Sequence, residues 1–161
     1  MLFFGATIIP MILGVLFIIG ALFMFTGCSN KEQNLTLTPT EIIAKMKEGF
    51  AEDELPMLGE KELIAEELEY NLGLKELDFV EGTVSEPMIS SIAHSVVVVR
   101  VAEGVDIEKT KADIKANVNP NKWLCATAEE VYVESKGDII VLIMSNKETA
   151  PRLLENFKNI K

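Results

Sequence analysis

Histidine and cysteine are scarce in this 161-residue chain, which contains one histidine, His94, and two cysteines, Cys28 and Cys125. A zinc site of the usual type needs several His or Cys ligands, and a relay between imidazoles needs two histidines. The sequence therefore predicts no metal centre. Because Cys125 is the only cysteine in the part of the chain with a globular composition, we expect no disulfide inside the folded domain.

The motifs of common enzyme classes are also missing. The chain has no glycine-rich dinucleotide motif, no P-loop and no G-x-S-x-G nucleophile elbow. The acidic stretch "AEDELPMLGE" lacks the alternating Asp/Asn ligands and the central glycine of a calcium loop. No pair of carboxylates stands out as a general acid and a general base. The sequence thus predicts no catalytic residue and no cofactor.

Positive charge is scarce relative to negative charge, since 15 Lys and Arg oppose 25 Asp and Glu for a net charge of −10. Residues 41–81 carry nine of the net negative charges and residues 82–161 carry one. Nucleic-acid binding depends on basic side chains that neutralise phosphates, so we predict no nucleic-acid partner. The acidic region indicates either a hydrated surface that keeps the domain soluble or a contact surface for a basic or cationic partner.

Charged residues are absent from Leu2 to Gly27, which form one long apolar run. At about 1.5 Å per residue, a helix of this length would measure about 39 Å, more than the roughly 30 Å hydrocarbon core of a bilayer. Signal peptides usually have a shorter apolar stretch after a basic start, and no Lys or Arg precedes Lys31. These features favour a single-pass membrane anchor over residues 1–27.

The end of this run, "FTGCSN", resembles a bacterial lipobox, although Phe25 stands where such motifs usually have leucine. The resemblance implies that the Cys28 thiol receives a diacylglycerol and that a peptidase cleaves between Gly27 and Cys28. Residues 1–27 would then be a lipoprotein signal peptide, and residues 28–38 a polar tether on the extracellular face of the cell membrane. We expect lipidation at Cys28, with the uncleaved single-pass anchor as the alternative.

A capping box marks the start of the folded domain, which we predict to cover residues 39–161. Thr38 suits the N-cap, Pro39 the first helical position and Glu41 the third. Apolar residues at helical spacing predict a first helix after this box. The same periodicity predicts a second helix over residues 60–73, with the final glycine as its stop signal.

The pattern beyond the second helix predicts strands and helices in the order ββαββα. Strands are expected in residues 78–84 and 95–104, a helix in residues 106–118, a hairpin in residues 130–145 and a closing helix in residues 147–160. We therefore predict an α+β fold with a four-stranded, mainly antiparallel sheet and helices on one face.

Two residues of possible chemical interest lie in irregular segments. We expect His94 at a loop or strand edge, without a functional role. The loop from Pro120 to Cys125 is expected to bury the Cys125 thiol, because free cysteines are among the most buried residues. A reactive thiol would need a neighbouring base, and His94 is the only imidazole available.

Large apolar side chains also lie in these irregular segments. We expect Met88, Ile89 and Trp123 to close the core beneath the connections. The alternative is that they form an exposed apolar patch, which would mark a contact surface.

Four stretches carry a further resemblance: "EIIAKMKEGFAEDELPML", "GTVSEPMISSIAHSVVVVR", "KANVNPNKWLC" and "GDIIVLIMS". In combination they are similar to an uncharacterised domain family of membrane lipoproteins from clostridia and related Firmicutes, over nearly all of residues 40–160. Membership would imply a lipoprotein on the surface of a Gram-positive cell. The resemblance implies no activity and no functional residue.

Two functions from different classes follow from these observations. The apolar run, the acidic region and the missing catalytic motifs favour a binding or accessory module of the cell envelope, held at the membrane. The alternative is a small envelope hydrolase or thiol enzyme that uses Cys125 or the acidic side chains of residues 51–54. The binding module is the favoured hypothesis.

Overall fold

The computed structural model describes residues 34–161, which form a mixed α and β domain. In chain order the elements are α1 (Pro39–Met46), β1 (Leu58–Glu62), a 3-10 turn (Ala65–Glu67), α2 (Leu68–Leu72), β2 (Phe79–Pro87), β3 (Ser95–Val101), α3 (Ile107–Asn117), β4 (Glu130–Lys136), β5 (Ile139–Ser145) and α4 (Thr149–Asn159). The α+β prediction is confirmed at this level.

The strands form one five-stranded sheet in the order β1-β2-β3-β5-β4, and every neighbouring pair is antiparallel. The central pair, β3 and β5, places Val97 opposite Leu142. Both strands consist almost entirely of apolar residues, as expected for strands that are buried on their two faces. The predicted antiparallel character is confirmed, whereas the predicted number of four strands is wrong.

The additional strand, β1, covers Leu58–Glu62 and so includes the first three residues of the helix predicted over residues 60–73, which is wrong at its start. Backbone pairing with β2 aligns Glu60 with Ser85. Glu and Lys favour a helix by intrinsic propensity, but an exposed edge strand also tolerates charged side chains, and the pairing with β2 decides between the two. Residues 65–72 of the predicted helix are helical, as the 3-10 turn and α2, and Gly73 ends α2 with a left-handed φ of 71°.

Helices cover both faces of the sheet, so the prediction of helices on one face is wrong. On β3, Val96 and Val98 pack in a cluster with residues of α1 and α4. Val97 and Val99 point the other way and pack with residues of α2 and α3 and with Trp123. Because side chains alternate along a strand, an unbroken valine run fits a strand with a core on each face.

Local signals in the sequence place several boundaries correctly. Thr38 caps α1, and its backbone and hydroxyl interact reciprocally with Glu41 in a complete capping box. Asp106 caps α3 by accepting a hydrogen bond from the backbone N–H of Lys109. Gly137 turns the β4–β5 hairpin with a φ of 58°, a conformation that glycine adopts at little cost.

Arg100 of β3 joins three segments at one end of the sheet. Its guanidinium donates to Glu81 at 3.0 Å, to both carboxylate oxygens of Asp138 at 2.7 and 2.8 Å, and to the backbone carbonyl of Leu37 at 2.8 Å. Bidentate contacts of this kind fix geometry as well as adding energy. The segment that precedes α1 is thereby held against the β4–β5 turn.

The described chain enters the domain at this same turn. Leu35 is buried in the core on the α1 and α4 face. Asn34 lies so close to Gly137 that a Cβ atom there would approach the Asn34 Oδ1 to 2.7 Å. We call this end of the sheet the entry end.

Candidate functional site

The opposite end of the sheet, which we call the loop end, gathers the starts of β1, β3 and β4 and the ends of β2 and β5. The segments that flank these strand ends are residues 47–57, 88–94, 118–129 and 146–148. β2 continues to Pro87, which pairs with Leu58, so it extends three residues beyond the strand predicted over residues 78–84. The side chains of chemical interest are concentrated here.

A buried lysine is the most unusual group at the loop end. The Lys122 side chain is only 3% exposed, and its Nζ lies 2.5 Å from the Glu86 Oε1. The same ammonium donates to the Ser95 Oγ at 3.4 Å. The contact with Glu86 is a close ion pair without the alignment of a good hydrogen bond. Lysine is rarely buried unless it is paired, and Glu86 supplies the pairing charge for Lys122.

Aromatic rings enclose the same ammonium. The Lys122 Nζ lies 4.6 Å from the centre of the Tyr70 ring and 5.4 Å from that of Trp123. Both distances are within the range of attractive cation–π contacts. Trp123 is itself buried, whereas Tyr70 is half exposed. The rings therefore contribute to the burial of the Lys122 side chain.

Burial changes the ionisation of this lysine. Loss of hydration lowers the pKa of Lys122 from its ordinary value, and the neighbouring Glu86 carboxylate opposes that shift. The net direction is downward, so the ammonium is harder to maintain here than in water. The ion pair with Glu86 is what allows a charged lysine to occupy this position.

Further polar groups surround the pair. The buried Asn71 carboxamide donates to the Glu67 Oε2 at 3.3 Å, while its Oδ1 has no hydrogen-bond partner among the described residues. Lys61 binds the same Glu67 oxygen at 2.6 Å and lowers the pKa of that carboxyl. We refer to Lys122, Glu86, Ser95 and the two enclosing rings as the Lys122 cluster. Its elements are β2, β3, α2 and the loop before β4.

His94 lies just before β3 on the same end of the sheet, and it is 2% exposed. Its Nδ1 forms a hydrogen bond with the Ser145 Oγ at 3.0 Å. Burial lowers the pKa of His94 to about 4, and Glu86 and Lys47 act on it in opposite directions. The imidazole is therefore neutral at pH 7, and its packing is that of a core residue.

Cys125 is exposed, so the predicted burial of this thiol is wrong. The reason is a tight turn in which Trp123 and Ala126 form an isolated β-bridge. This turn inserts Trp123 into the core and leaves Cys125 at its tip with a φ of 58°. The His94 imidazole makes its hydrogen bond with Ser145 and not with this thiol.

Four large apolar side chains are exposed at the loop end, and we call them the loop-end patch: Met57, Met88, Ile89 and Leu124. Their exposed fractions range from 58% for Ile89 to 78% for Met57. Backbone hydrogen bonds join the three segments, from the Met88 N–H to the Met57 carbonyl at 3.1 Å and from the Leu124 N–H to the Ser90 carbonyl at 2.9 Å. The patch therefore has a defined backbone framework.

The expectation that Met88, Ile89 and Trp123 all close the core is thus correct only for Trp123. The two side chains of the 88–94 segment point outward instead. Met88 and Leu124 each lie two residues after a member of the Lys122–Glu86 ion pair, so this pair links the two segments that carry them. Met88 and Ile89 therefore follow the alternative, an exposed apolar patch, and exposed groups of large apolar side chains mark contact surfaces.

Some predicted sites lie outside the described residues. These are the lipidation site Cys28, the cleavage bond after Gly27 and the motif position Phe25. Within residues 34–161, no helix has the length and apolarity that crossing a membrane requires. In the same range, no three His, Cys, Asp or Glu side chains are arranged to hold a metal ion.

No family model, curated protein or solved structure matches the chain significantly. The loop end itself is therefore the basis for a proposed function. Sequence reasoning identified the 88–94 and 120–125 segments as places to look for a patch, but it missed the Lys122 cluster. Nothing in "NPNKWLC" distinguishes a buried lysine from a hydrated loop lysine, because the burial depends on Tyr70, Glu86 and Ser95 from distant parts of the chain.

Proposed function

We propose that this protein is a membrane-anchored binding module of the cell envelope, which is attached through a lipid on Cys28 and contacts a protein partner through the loop-end patch. The observation that carries the proposal is the exposure of four large apolar side chains on one end of the sheet. Exposed clusters of this kind cost hydration free energy in an isolated domain, and they commonly serve as interfaces.

The link between the segments that carry Met88 and Leu124 fits a binding role. A preorganised surface loses less conformational entropy on association than a flexible one does. The Lys122 cluster fixes the end of β2 and the loop before β4, from which Met88 and Leu124 project. Methionine adapts its shape readily to an apolar partner, and two of the four patch residues are methionines.

The anchoring part of the proposal rests on residues 1–28. The lipobox-like "FTGCSN" and the uncharged apolar run before it support attachment of a lipid to Cys28 on the extracellular face of the membrane. The alternative is an uncleaved single-pass anchor with the same domain. In either case the domain works at a membrane surface.

The enzyme alternative gains little support from the described residues. Cys125 is exposed, but the imidazole is buried and bound to Ser145. In the acidic segment, Glu54 is engaged by Arg152 at 2.6 Å. A nucleophile needs an adjacent base that is itself held in place, and these groups do not form such a pair.

We expect the protein extracted from membranes of its native cells to have the mass of residues 28–161 plus a diacylglycerol. Intact-mass spectrometry of the wild type and of a Cys28→Ala variant measures this directly. The variant should keep residues 1–27 and carry no lipid. An unmodified full-length mass for the wild type would contradict lipidation and support the single-pass alternative.

We expect a photo-crosslinking residue in place of Met88 or Leu124 to form an adduct with a specific envelope protein in living cells. The matched control is the same residue in place of Val80, which is 67% exposed but lies at the entry end of β2. The measurement is the mass and identity of the adducts. Equal labelling from positions 80, 88 and 124, or labelling from none of them, would contradict the proposed binding surface.

A further inference from the structure

We infer that the loop-end patch binds an apolar protein segment flanked by lysine or arginine residues. This inference rests on the proposed function, and it specifies the chemistry of the partner. The structural basis is the combination of an exposed apolar centre with acidic side chains that have no ion pair among the described residues. Such complementarity selects partners and speeds their association.

Unpaired acidic residues lie in two segments, one that leads into the patch and one that contacts the Lys122 cluster through Tyr70. Glu52 and Asp53 are exposed in the turn that leads to Met57. Glu66 and Glu69 are exposed on either side of the α2 start, beside the half-exposed Tyr70. Within residues 34–161, none of these four carboxylates makes a salt bridge.

Two of the lysines near the patch are already paired: Lys122 is buried against Glu86, and Lys61 lies 2.6 Å from Glu67. Lys147 at the loop end is exposed and has no ion pair among the described residues, but the exposed glutamate that follows it has none either, so the two charges cancel. None of these lysines forms an ion pair with the exposed acids described above. A segment with basic side chains on both sides of an apolar centre would therefore have carboxylates from both acidic segments available to it. An acidic segment would face like charges, which disfavours its binding.

The position of the patch argues against coverage by the chain's own N-terminal remainder. Cleavage before Cys28 would leave residues 28–33 ahead of Asn34, which lies at the entry end against Gly137. Six residues span at most about 21 Å. β5 alone, from Ile139 to Ser145, covers about 20 Å between the two ends, and the loops extend further. A remainder of six residues would have to be fully extended merely to reach the loop end, so it has no residues left to lie across the patch.

The test uses the membrane-extracted protein, with its anchor and its whole domain, in phosphatidylcholine nanodiscs. It carries a photo-crosslinking residue at position 88 or 124. The probes are two synthetic peptides with the same apolar centre, one flanked by lysines and the other by glutamates. We expect the lysine-flanked peptide to give about tenfold more adduct at low salt, and the difference to shrink in high salt because exposed charges are screened. Position 80 should give background labelling with both peptides.

Charge reversal supplies the matched variants. Glu52→Lys with Asp53→Lys should reduce or invert the preference for the lysine-flanked peptide. The control pair, Asp78→Lys with Glu103→Lys, makes the same change in net charge at the entry end and should leave the preference intact. All four side chains are exposed, so the substitutions are expected to leave the fold unchanged.

Four outcomes would overturn the inference. These are equal labelling by the two peptides, an equal effect of both charge-reversed pairs, adducts between two copies of this chain, and adducts with lipid alone. The last two would assign the patch to self-association or to the bilayer. If adducts in cells form from positions 88 and 124 but the peptides show no charge preference, the proposed function stands and this inference fails.

Discussion

Replacing Lys122 with methionine is expected to lower the free energy of unfolding by about 3 kcal/mol, because it leaves the partly buried Glu86 carboxylate without its cation. The substitution also removes the contacts with the Tyr70 and Trp123 rings. Urea unfolding at pH 7, followed by the fluorescence of Trp123, measures the change. Trp123 is the single tryptophan of the chain, so its signal reports directly on this cluster.

A double-mutant cycle separates the ion pair from the packing. Lys122→Met and Glu86→Gln should each destabilise, whereas the combined variant should be more stable than the sum of the two losses predicts. Lys109→Met provides a surface control, because its pair with Asp113 is exposed and should contribute less than about 1 kcal/mol. Additive losses in the cycle would show that Lys122 and Glu86 are not coupled.

The Glu86→Gln variant should also show a distinct pH dependence. Burial already lowers the pKa of Lys122, and removing the carboxylate removes the interaction that opposes this shift. The unfolded chain then binds more protons than the folded protein does at pH values approaching 10.5, the ordinary pKa of lysine. Stability should therefore rise as the pH is raised from 7 to 10, more steeply than in the wild type.

Acid is expected to destabilise the protein through His94, by about 2 kcal/mol between pH 7 and pH 5. The pKa of His94 falls from 6.5 in the unfolded chain to about 4 in the folded protein, because the buried imidazole resists protonation. A group with a depressed folded pKa supports stability above its unfolded pKa, and that support is lost as the pH falls. The full loss, reached below pH 4, is about 3 kcal/mol.

The two charged groups near the imidazole act on this effect in opposite directions, since Glu86 limits it and Lys47 adds to it. The Glu86 carboxylate favours the imidazolium, and the Lys47 ammonium disfavours it. The carboxyls whose pKa values are lowered by their partners, such as Glu54 and Glu67, lose their contribution below about pH 4.5. The interval from pH 7 to pH 5 therefore isolates His94.

The measurement is a series of urea unfolding curves between pH 7 and pH 5 for the wild type and for His94→Gln. The variant should be less stable at pH 7, since it disturbs the bond to Ser145. Its stability should nevertheless change by less than about 0.5 kcal/mol over the interval, because the titrating group is gone. A wild-type slope that persists in the variant would assign the acid sensitivity to another group.

Most of the regular elements could be predicted from the sequence because their signals are local. The capping box at Thr38 and Glu41, the cap at Asp106 and the glycine turn of the last hairpin each involve residues within a few positions of one another. The run of valines in β3 is likewise a local pattern, and it is typical of a strand buried on both faces. Local hydrogen bonding and side-chain periodicity are properties of short segments, so they can be read without the fold.

The candidate site was predicted only in part, because its chemistry depends on contacts between distant segments. The 88–94 and 120–125 segments were recognised, but whether Met88 points outward and Cys125 lies exposed depends on the turn that buries Trp123. The burial of Lys122 needs Glu86 from β2 and Ser95 from β3. The residues next to Lys122 in the sequence do not indicate these partners, because both partners lie far away along the chain.

The sequence by itself determined the α+β class, most helix and strand positions, the localisation of acidic charge and the lipobox-like "FTGCSN". Tertiary structure decided that residues 58–62 form an edge strand, that both faces of the sheet are covered, and that one end combines a buried ion pair with an exposed apolar patch. The physical reason is that strand pairing and side-chain burial are set by non-local contacts, which override the propensity of a short charged segment.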